Sequence, residues 1–440
     1  MNSRSAFARM RSLVLTAALL NAAGCIQTPP IPDMRGATMV SGAASVTVPF
    51  VFDNNRVFVP VALTAPDGTV HKTLAFVNMG SGAFVLANKL YRELGISDGS
   101  KLSMAIGAMQ IAVDPRVVQP EDQVNSISIR INPFHKPLTS AEIARRPGGS
   151  MAQLSAPMDV EAVIPPGLLQ NFQVVFDYGA KTITLAPPGT LKPDGIAVPF
   201  RLNAKTGFAT LDLTIDGRRT LMVIDDGGSY SAVLGSVASE WLATHPSWLR
   251  SEGGVGESNL IMDGGIDVGA PVLKIPNATL GPLKLDELGV MSPTIGGVLG
   301  GFVTHTFIDY YSEKAGEEVN GWIGGNVLKS FRLTLEYSNC VSYWLQETPI
   351  DTHDLDQVGI TLAHSGNMTT VAGIAKKNGV ATVSSVMAGD QIVSIGGRPT
   401  AAMTRGELLD ALHGTPGEHR HLVLKRNGKL VEVDTVVTAF

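Results

Sequence analysis

The sequence predicts a mainly β protein that consists of two similar lobes in tandem and a smaller C-terminal module. Apolar and polar residues alternate at a period of two in many short segments, which is typical of half-buried strands. The layout of residues 47–82 returns at 197–229, so these strands belong to an internal repeat. A chain of 440 residues with 44% hydrophobic and 17% charged residues is expected to form two to three folded domains.

The first 25 residues are typical of a secretory signal and not of a folded segment. Arg4, Arg9 and Arg11 form a basic start, a short apolar run follows, and small residues lead to Cys25. Small residues immediately before a cysteine resemble a bacterial lipoprotein signal. The resemblance implies a signal peptide at 1–24 and lipidation of Cys25. The alternative is an ordinary secreted protein that is cleaved near the same place.

The segment 25–44 is rich in Pro and Gly and predicts a flexible tether. We therefore expect a periplasmic protein that is lipid-anchored to the bacterial cell envelope, at the outer membrane, with the lipid as its membrane contact. If Cys25 carries lipid, Cys340 is left without a disulfide partner. Stability must then come from burial.

Composition argues against several other classes of function. The net charge is −5 and no run of Lys and Arg stands out, so a nucleic-acid surface is not expected. The nine His residues are scattered and the two Cys are far apart, so neither a metal nor a cofactor is expected. A nucleotide-binding loop and a serine-hydrolase motif are also missing from the sequence.

Each copy of the repeat opens with Val-Pro-Phe, forms two strands around a polar hairpin, and enters a Gly-rich turn. The first turn ends the run "LAFVNMGSG" and the second ends "LMVIDDGGS". Asn78 stands in the first turn where Asp225 stands in the second, and Gly80 and Gly227 follow two residues later. One turn therefore carries an amide where the other carries a carboxylate.

The two copies also end alike. The segment "AVIPPGLLQNFQVVFDY" at 162–178 aligns without a gap on "GWIGGNVLKSFRLTLEY" at 321–337. Matching beginnings and ends in the same order indicate a tandem duplication. We place lobe one at 45–190 and lobe two at 191–350.

These paired elements resemble the pepsin/retropepsin superfamily of aspartic peptidases. In lobe two a strand that ends in "VIDDG" is followed later by "WIGGNVL", which is the layout of one lobe in that family. The resemblance implies two β-barrel lobes that form one cleft, in which two carboxylates share a proton and activate water. It places Asp225 and Asn78 at the two catalytic positions. The residues that it implies as support for the turns are Gly80, Ser81, Asp226, Gly227 and Gly324.

Lobe one departs from the family pattern at its signature positions. Asn78 cannot act as a general acid or base at neutral pH, and loss of one acid should abolish most of the catalysis. The family usually has Ser or Thr after each acid, where this chain has Met79 and Asp226, so the hydroxyl brace between the lobes is missing or rebuilt. Pro165 stands where Gly324 stands in lobe two.

Three hypotheses remain open. The first is a catalytically impaired protease relative, a pseudoenzyme that binds extended polypeptide in the interlobe cleft. The second is an active aspartic endopeptidase, a hydrolase that cleaves periplasmic peptides or proteins through Asp225, together with Asn78 or with a second chain. The third is a non-enzymatic adaptor of the envelope. The first two require that the turn tips touch in a groove open to solvent. A hairpin near Gly107 is either a flap over that groove or an ordinary structural hairpin.

The C-terminal region at 355–440 has its own pattern. The run "AGDQIVSIGG" predicts short strands, and "TRGELLDALHG" predicts a helix on which Leu408, Leu409 and Leu412 share one face. These motifs resemble a PDZ domain of the bacterial, secreted type. The resemblance implies that the module binds protein C-termini as an added strand. The peptide-binding residues that it implies are Gly359, Ile360, Thr361 and Leu362.

Overall fold

The computed structural model describes residues 36–41, 45–96, 102–121, 155, 157–253, 256–257, 268–292, 308–365 and 367–440. The predicted signal peptide and Cys25 lie outside these residues. Within the described ranges, no helix has the length and apolar character needed to cross a membrane.

Strands make up most of the described chain. Residues 37–190 contain β1 (Ala37–Ser41), β2 (Val46–Pro49), β3 (Val51–Asp53), β4 (Arg56–Thr64), β5 (Val70–Val77), β6 (Phe84–Leu86), β7 (Leu102–Ile106), β8 (Met109–Val113), β9 (Val118–Pro120), β10 (Val160–Ile164), β11 (Gln173–Asp177) and β12 (Thr182–Ala186). Lobe two contains β13 (Ile196–Pro199), β14 (Arg201–Leu202), β15 (Ala209–Ile215), β16 (Arg218–Ile224), β17 (Ala232–Val233), β18 (Leu249–Glu252), β19 (Gly256–Glu257), β20 (Pro271–Leu280), β21 (Leu283–Met291), β22 (Gly321–Ile323), β23 (Phe331–Glu336) and β24 (Val341–Gln346). The C-terminal module contains β25 (Ile360–Ser365), β26 (Met368–Ile374), β27 (Lys376–Lys377), β28 (Val380–Ala381), β29 (Gln391–Ile395), β30 (Arg398–Pro399), β31 (His419–Arg426) and β32 (Lys429–Val436).

Helices are short and connect the strands. They are α1 (Asn88–Glu93), α2 (Pro166–Leu169), α3 (Gly235–Thr244), α4 (Gly325–Leu328) and α5 (Arg405–Leu412), with 3-10 turns at Pro115–Val117, Pro246–Trp248, Tyr337–Asn339 and Thr400–Ala402. A further helix covers 308–315 and is called the cap helix below.

A six-stranded sheet joins the two lobes, in the order β13-β24-β23-β11-β12-β2. Its centre is the antiparallel pair β11 and β23, in which Val175 lies opposite Thr334, and Asp177 lies opposite Arg332. The repeat aligns 173–177 with 332–336, and exchanging the two segments reproduces the same set of pairs. The internal duplication is therefore a two-fold relation in space, with its axis at Val175 and Thr334.

Lobe two closes on itself, whereas lobe one stays open. In lobe two the ring β15-β16-β22-β17-β21-β20 is completed by pairing of β20 with β15, so six strands form a barrel. In lobe one the segment that corresponds to β21 is broken at Pro115 into β8, a 3-10 turn and β9. Pro cannot donate to a β-ladder. Only β9 pairs with β6, and the lobe is a curled half-barrel.

One apolar core runs through both lobes, and a second fills the C-terminal module. Phe176, Leu333 and Leu335 have no exposed surface and pack in the first core from the strands of the shared sheet. Ile360, Leu362 and Leu412 do the same in the second. The lobes thus share a core, and the module has its own.

The predicted tether at 25–44 is too long at its C-terminal end. Residues 37–41 form β1, which pairs antiparallel with β8 in the sheet of lobe one. Gly36 lies so close to this sheet that a Cβ there would be 2.7 Å from the Cβ of Asp114. The sequence "ATMVS" has enough β-forming residues to add a strand, and this gain outweighs the Pro and Gly content around it.

The sheets of lobe two and of the C-terminal module exchange strands. β19 of lobe two pairs with β25 of the module, and β27 of the module pairs with β18 of lobe two. The module is also fixed to lobe one, because the Asp53 carboxylate accepts hydrogen bonds from Gly406 N at 3.1 Å and from the Thr404 hydroxyl. The predicted domain boundary near 355 is thus a boundary in the chain but not in the sheets.

Candidate active site

The two Gly-rich turns touch each other, and glycine is required in both. A Cβ on Gly80 would lie 2.3 Å from Asp225 Oδ2, and a Cβ on Gly227 would lie 2.1 Å from Asn78 Oδ1. Each polar side chain thus abuts the glycine of the opposite turn. Within its own turn, Asn78 Oδ1 accepts from Gly80 N at 2.9 Å, and Asp225 Oδ1 accepts from Gly227 N at 2.8 Å. The amide and the carboxylate occupy equivalent places beside the two-fold axis.

Asp225 is closed off from solvent. Its exposed fraction is 1%, and the Tyr311 hydroxyl donates a hydrogen bond to Asp225 Oδ2 at 2.7 Å. The expectation of a groove open to solvent at this carboxylate is therefore wrong for this arrangement. Asn78 keeps part of its surface exposed.

The cap helix of lobe two holds Tyr311 in this place. The Tyr311 ring is stacked on Trp322, with ring centres 5.4 Å apart, and makes an edge contact with Phe208. The neighbouring Tyr310 accepts a hydrogen bond from Gly82 N, in the turn of lobe one, at 2.7 Å. Two adjacent tyrosines therefore contact one turn each, and the cap helix bridges the lobes above the carboxylate.

A buried guanidinium lies next to the same carboxylate. Arg56 begins β4, has an exposed fraction of 1%, and donates from Nε to the backbone oxygen of Gly227 at 2.9 Å. Burial raises the pKa of Asp225, whereas Tyr311, the amides of Gly227 and Gly80, and the charge of Arg56 lower it. Burial is the largest of these effects, so the pKa of Asp225 is above its usual value.

Asp226 braces the lobes instead of facing the cleft. Its Oδ1 accepts from Met79 N at 2.8 Å, while no described atom bonds its buried Oδ2. Burial, followed by the charge of Asp225, raises the pKa of Asp226 well above its usual value. On the other side of the axis, Met79 has no oxygen to offer, and its sulfur lies 4.0 Å from the Tyr337 hydroxyl. The brace that the sequence left open is rebuilt from lobe two alone.

The closing segments of the repeat, 162–178 and 321–337, differ in the backbone hydrogen bonds that they can make to the Gly-rich turn of their own lobe. Gly324 N donates to the Ser231 hydroxyl at 2.9 Å, and Gly325 N donates to the Gly228 oxygen at 2.7 Å. Lobe one has Pro165 and Pro166 at the corresponding places, and neither has an N–H to donate. Its turn is held from within instead, where the Ser81 hydroxyl donates to Ala83 O at 2.9 Å.

The hairpin near Gly107 is a structural hairpin. It joins β7 to β8, and Gly107 has a φ of +55°. A Cβ there would lie 2.6 Å from Val48 and 2.8 Å from Val46, which belong to β2 of the shared sheet. The turn therefore packs on the interlobe sheet.

The implied peptide-binding residues of the module, 359–362, can contact a peptide through their backbone more than through their side chains. Gly359 has a φ of +79°, and a Cβ there would lie 2.4 Å from Thr382 Oγ1. Ile360 and Leu362 are fully buried in the core of the module, and Thr361 is 2% exposed. The backbone of Thr361 and Leu362 pairs with β19.

Tyr311 and Arg56 belong to the site although no motif in the sequence pointed to them. A cation at the start of a strand in the repeat was a usable signal for Arg56, because the corresponding strand of lobe two has no charged residue there. No signal marks Tyr311, since "YYSEK" is an ordinary helical segment. Within the described ranges, no three His, Cys, Asp or Glu side chains come together in a way that could hold a metal.

No protein-family model and no curated protein matches this chain. Among solved structures, the chain is similar to the crystal structure of an aspartic proteinase from Irpex lacteus, at 10% sequence identity and a TM-score of 0.37. The likeness covers 70% of this chain and 99% of that one. It concerns the fold alone, which is mainly β with one closed barrel and one half-barrel.

Proposed function

We propose that this protein is a catalytically impaired relative of the pepsin/retropepsin peptidases that binds extended polypeptide without cutting it. Because Tyr311 covers Asp225, the polypeptide binds outside the predicted interlobe groove, and the proposal does not need that groove to be open. The observation that carries the proposal is the state of Asp225. It faces an amide-bearing turn, and Tyr311 covers it with a hydrogen bond of 2.7 Å. The lipid anchor, the periplasmic location and the PDZ character of the module are part of the same proposal.

Neither neighbour of Asp225 can replace the missing acid. Asn78 has no proton to exchange at neutral pH, so the pair cannot share a proton as two carboxylates would. Burial and the charge of Asp225 raise the pKa of Tyr311 well above 10, so its phenol remains a hydrogen-bond donor. The phenol also donates its hydrogen bond to Asp225 Oδ2 at 2.7 Å, so this oxygen is already bonded and is not free to accept a proton from water. Hydrolysis through Asp225 is therefore blocked twice.

Polypeptide binding is supported by the C-terminal module. The edge of β25 accepts an extended segment of this same chain, β19, as an added strand. Addition of a strand to an exposed sheet edge is a common way to recognise extended peptides, and the backbone supplies most of the affinity.

An active endopeptidase remains the alternative, and one observation favours it. The lobe-two half of the site keeps the hydrogen bond from Gly227 N to Asp225 Oδ1 at 2.8 Å. This alternative requires an arrangement in which Tyr311 no longer covers the carboxylate.

The proposal is tested by measuring the hydrolysis of labelled casein between about pH 3 and pH 8. This pH range includes the usual pKa values of carboxyl groups and extends above them. We expect the wild type to release no more fragments than Asp225→Asn does. The double variant Asn78→Asp, Tyr311→Phe restores the second acid and removes the blocking hydroxyl, while it keeps the ring that packs on Trp322. We expect it to gain hydrolysis.

The control is the triple variant that adds Asp225→Asn to this pair, which should lose the gained activity. Cleavage by the wild type that disappears in Asp225→Asn would establish the active peptidase instead. Binding is measured separately by the fluorescence anisotropy of labelled casein, and absence of binding would reject the polypeptide-binding function.

A further inference from the structure

The edge of β25 is occupied by a strand from another part of the same chain. β19 belongs to lobe two, between β18 and β20, and pairs in parallel with β25, so that Gly256 lies opposite Thr361 and Glu257 lies opposite Leu362. On its other side β19 lies beside α5 of the module. A segment of lobe two thus fills the space between a sheet edge and a helix.

The same stretch of lobe two contacts the module before and after β19. Glu252 pairs with Lys376. A Cβ on Gly253 would lie 3.5 Å from Ala375 Cα, and one on Gly373 would lie 2.5 Å from Val268 Cγ1. The pairing of β19 is therefore one of several contacts that attach this stretch to the module.

The other wall of this space is fixed by lobe one. Both Asp53 carboxylate oxygens accept from Gly406 N at 3.1 Å, at the N-terminus of α5, and the Thr404 hydroxyl also donates to Asp53. A carboxylate is stabilised at this end of a helix by its partial positive charge. The two walls, β25 and α5, are thus held in place while the space between them contains a strand.

Within the described residues of this stretch, Gly256 and Glu257 pair with β25, and Gly253 before them has a φ of +94°. The sequence of the stretch, "GGVGE" at 253–257, is rich in glycine. Glycine loses more conformational entropy on ordering than any other residue. A glycine-rich segment is therefore a weaker occupant of this edge than a segment of the same length with larger side chains. A longer extended polypeptide with side chains would form more backbone hydrogen bonds along the same edge.

We propose that β19 is a built-in competitor at a strand-addition site for extended polypeptide on β25. The inference rests on the polypeptide-binding function proposed above and assigns that binding to the edge of β25. A tethered segment acts at an effective concentration on the order of millimolar, so it excludes weak ligands and yields to strong ones. Binding of a ligand releases β19 and thereby frees lobe two from one of its attachments to the module.

Two variants with opposite effects test the competition in the full chain. Gly256→Pro, Glu257→Pro removes two backbone N–H groups and prevents pairing of β19, so it opens the edge. Gly256→Cys, Thr361→Cys, in a Cys25→Ser, Cys340→Ser background, joins two paired residues by a disulfide and locks the edge. Cα atoms that face each other across a ladder lie within the range that a disulfide spans.

Binding of labelled, unfolded casein is measured by fluorescence anisotropy, and backbone pairing by hydrogen exchange at 360–362. We expect the open form to bind about tenfold more tightly than the wild type, because the competent fraction of the site rises. The oxidised locked form should bind about tenfold more weakly than its reduced form. The amides of 360–362 should exchange faster in the open form, with β31 and β32 unchanged.

Each other outcome overturns a defined part of the proposal. Equal binding by the locked and open forms shows that polypeptide binds elsewhere, which rejects the competition and leaves the proposed function intact. Absence of binding by every form rejects both. Unchanged exchange at 360–362 in the open form shows that β19 does not protect this edge.

Discussion

The centre of the molecule holds two adjacent carboxyl groups and one guanidinium, all of them buried. Asp225 is 1% exposed, Asp226 is fully buried, and Arg56 is 1% exposed. A buried charge is costly unless it is paired, so one guanidinium can offset one carboxylate but not both. Asp225 has Tyr311 and two backbone amides as well as Arg56, whereas backbone amides such as Met79 N are the donors that the described residues offer to Asp226. The unbalanced charge therefore falls on Asp226, which is best accommodated as a neutral acid.

This assignment predicts how stability depends on pH. The pKa of Asp226 is raised well above its usual value of 3.8 in the folded chain, so below pH 3.8 both the folded and the unfolded states carry the proton. As pH rises above 3.8, the unfolded state releases the proton while the folded state keeps it, and stability falls until the folded pKa is passed. Asp226→Asn removes this loss and keeps an oxygen for Met79 N. We expect it to be more stable than the wild type at pH 7, by up to about 1.4 kcal/mol for each pH unit between the two pKa values.

Urea unfolding followed by Trp fluorescence between pH 3 and pH 7 measures this difference. The matched control is Asp226→Ala, which leaves Met79 N without its acceptor and should cost about 1–3 kcal/mol at every pH relative to Asp226→Asn. An Asp226→Asn protein that is less stable than the wild type by the same amount at all pH values would show that Asp226 is ionised in the fold.

Single residues differ in how far the sequence revealed them. Asn78 and Asp225 could be paired because the repeat aligns the two turns, and a two-fold relation brings equivalent turns together. Tyr311 could not be found in this way, because neither of two adjacent tyrosines in a helix is marked by the pattern. Asp226 was recognised as an unusual residue, but its bond to Met79 N depends on how closely the two lobes approach.

The two lobes hold each other through a pair of reciprocal contacts between loops and short helices. A Cβ on Gly325, at the start of α4, would lie 1.9 Å from the backbone oxygen of Asn55, in the β3–β4 hairpin of lobe one. On the other side of the axis, a Cβ on Gly207 would lie 2.3 Å from the backbone oxygen of Pro166, at the start of α2. The same contact is thus made twice with the lobes exchanged. The Asn55 hairpin also leads into Arg56, so the contact helps to position the guanidinium.

Gly325→Ala should therefore be destabilising although alanine is the better helix former. The obstacle is backbone on a hairpin that both lobes hold, so relief requires that the hairpin move, and we expect a loss of about 1–3 kcal/mol or more. Thermal unfolding of the variant and the wild type measures it. Gly269→Ala is the matched control, because a Cβ at Gly269 would meet nothing within 4 Å. Equal stability of the two variants would show that the hairpin is free to shift.

Among the strands and helices, the sequence predicted those with strong alternation and those that the repeat duplicates. β1 was not predicted, because its five residues lie next to a segment rich in Pro and Gly and are too few to show a clear alternation of apolar and polar residues. β19 was not predicted for the same reason. A strand of two residues is stabilised by the strand it pairs with and not by its own sequence. The break at Pro115 was also not anticipated, although Pro in a strand pattern is a known warning against an uninterrupted ladder.

The six-stranded sheet joins the two lobes into one structural unit. Its central strands, β11 and β23, come from different lobes, and each pairs with the other along five residues. The strands on each side continue into the shared core. The duplication in the sequence was sufficient to predict two lobes in one molecule, but it could not show that the module would exchange strands with lobe two, because β18 and β27 have no repeat that links them.

Because the central pair of strands belongs to both lobes, neither lobe can unfold while the other stays intact. Leu285→Ala removes a fully buried side chain of lobe two and should cost about 2–5 kcal/mol. We expect native-state hydrogen exchange to show the same loss of protection in β11, which is in lobe one, as in β23, which is in lobe two. Leu63→Ala, at a fully buried position of lobe one, is the reciprocal variant. It should lower the hydrogen-exchange protection of β23 as much as that of β11. If Leu285→Ala lowered the protection of β23 and left that of β11 unchanged, the lobes would be independent folding units, and the contact between the turns of Asn78 and Asp225 would be a docking of two finished domains.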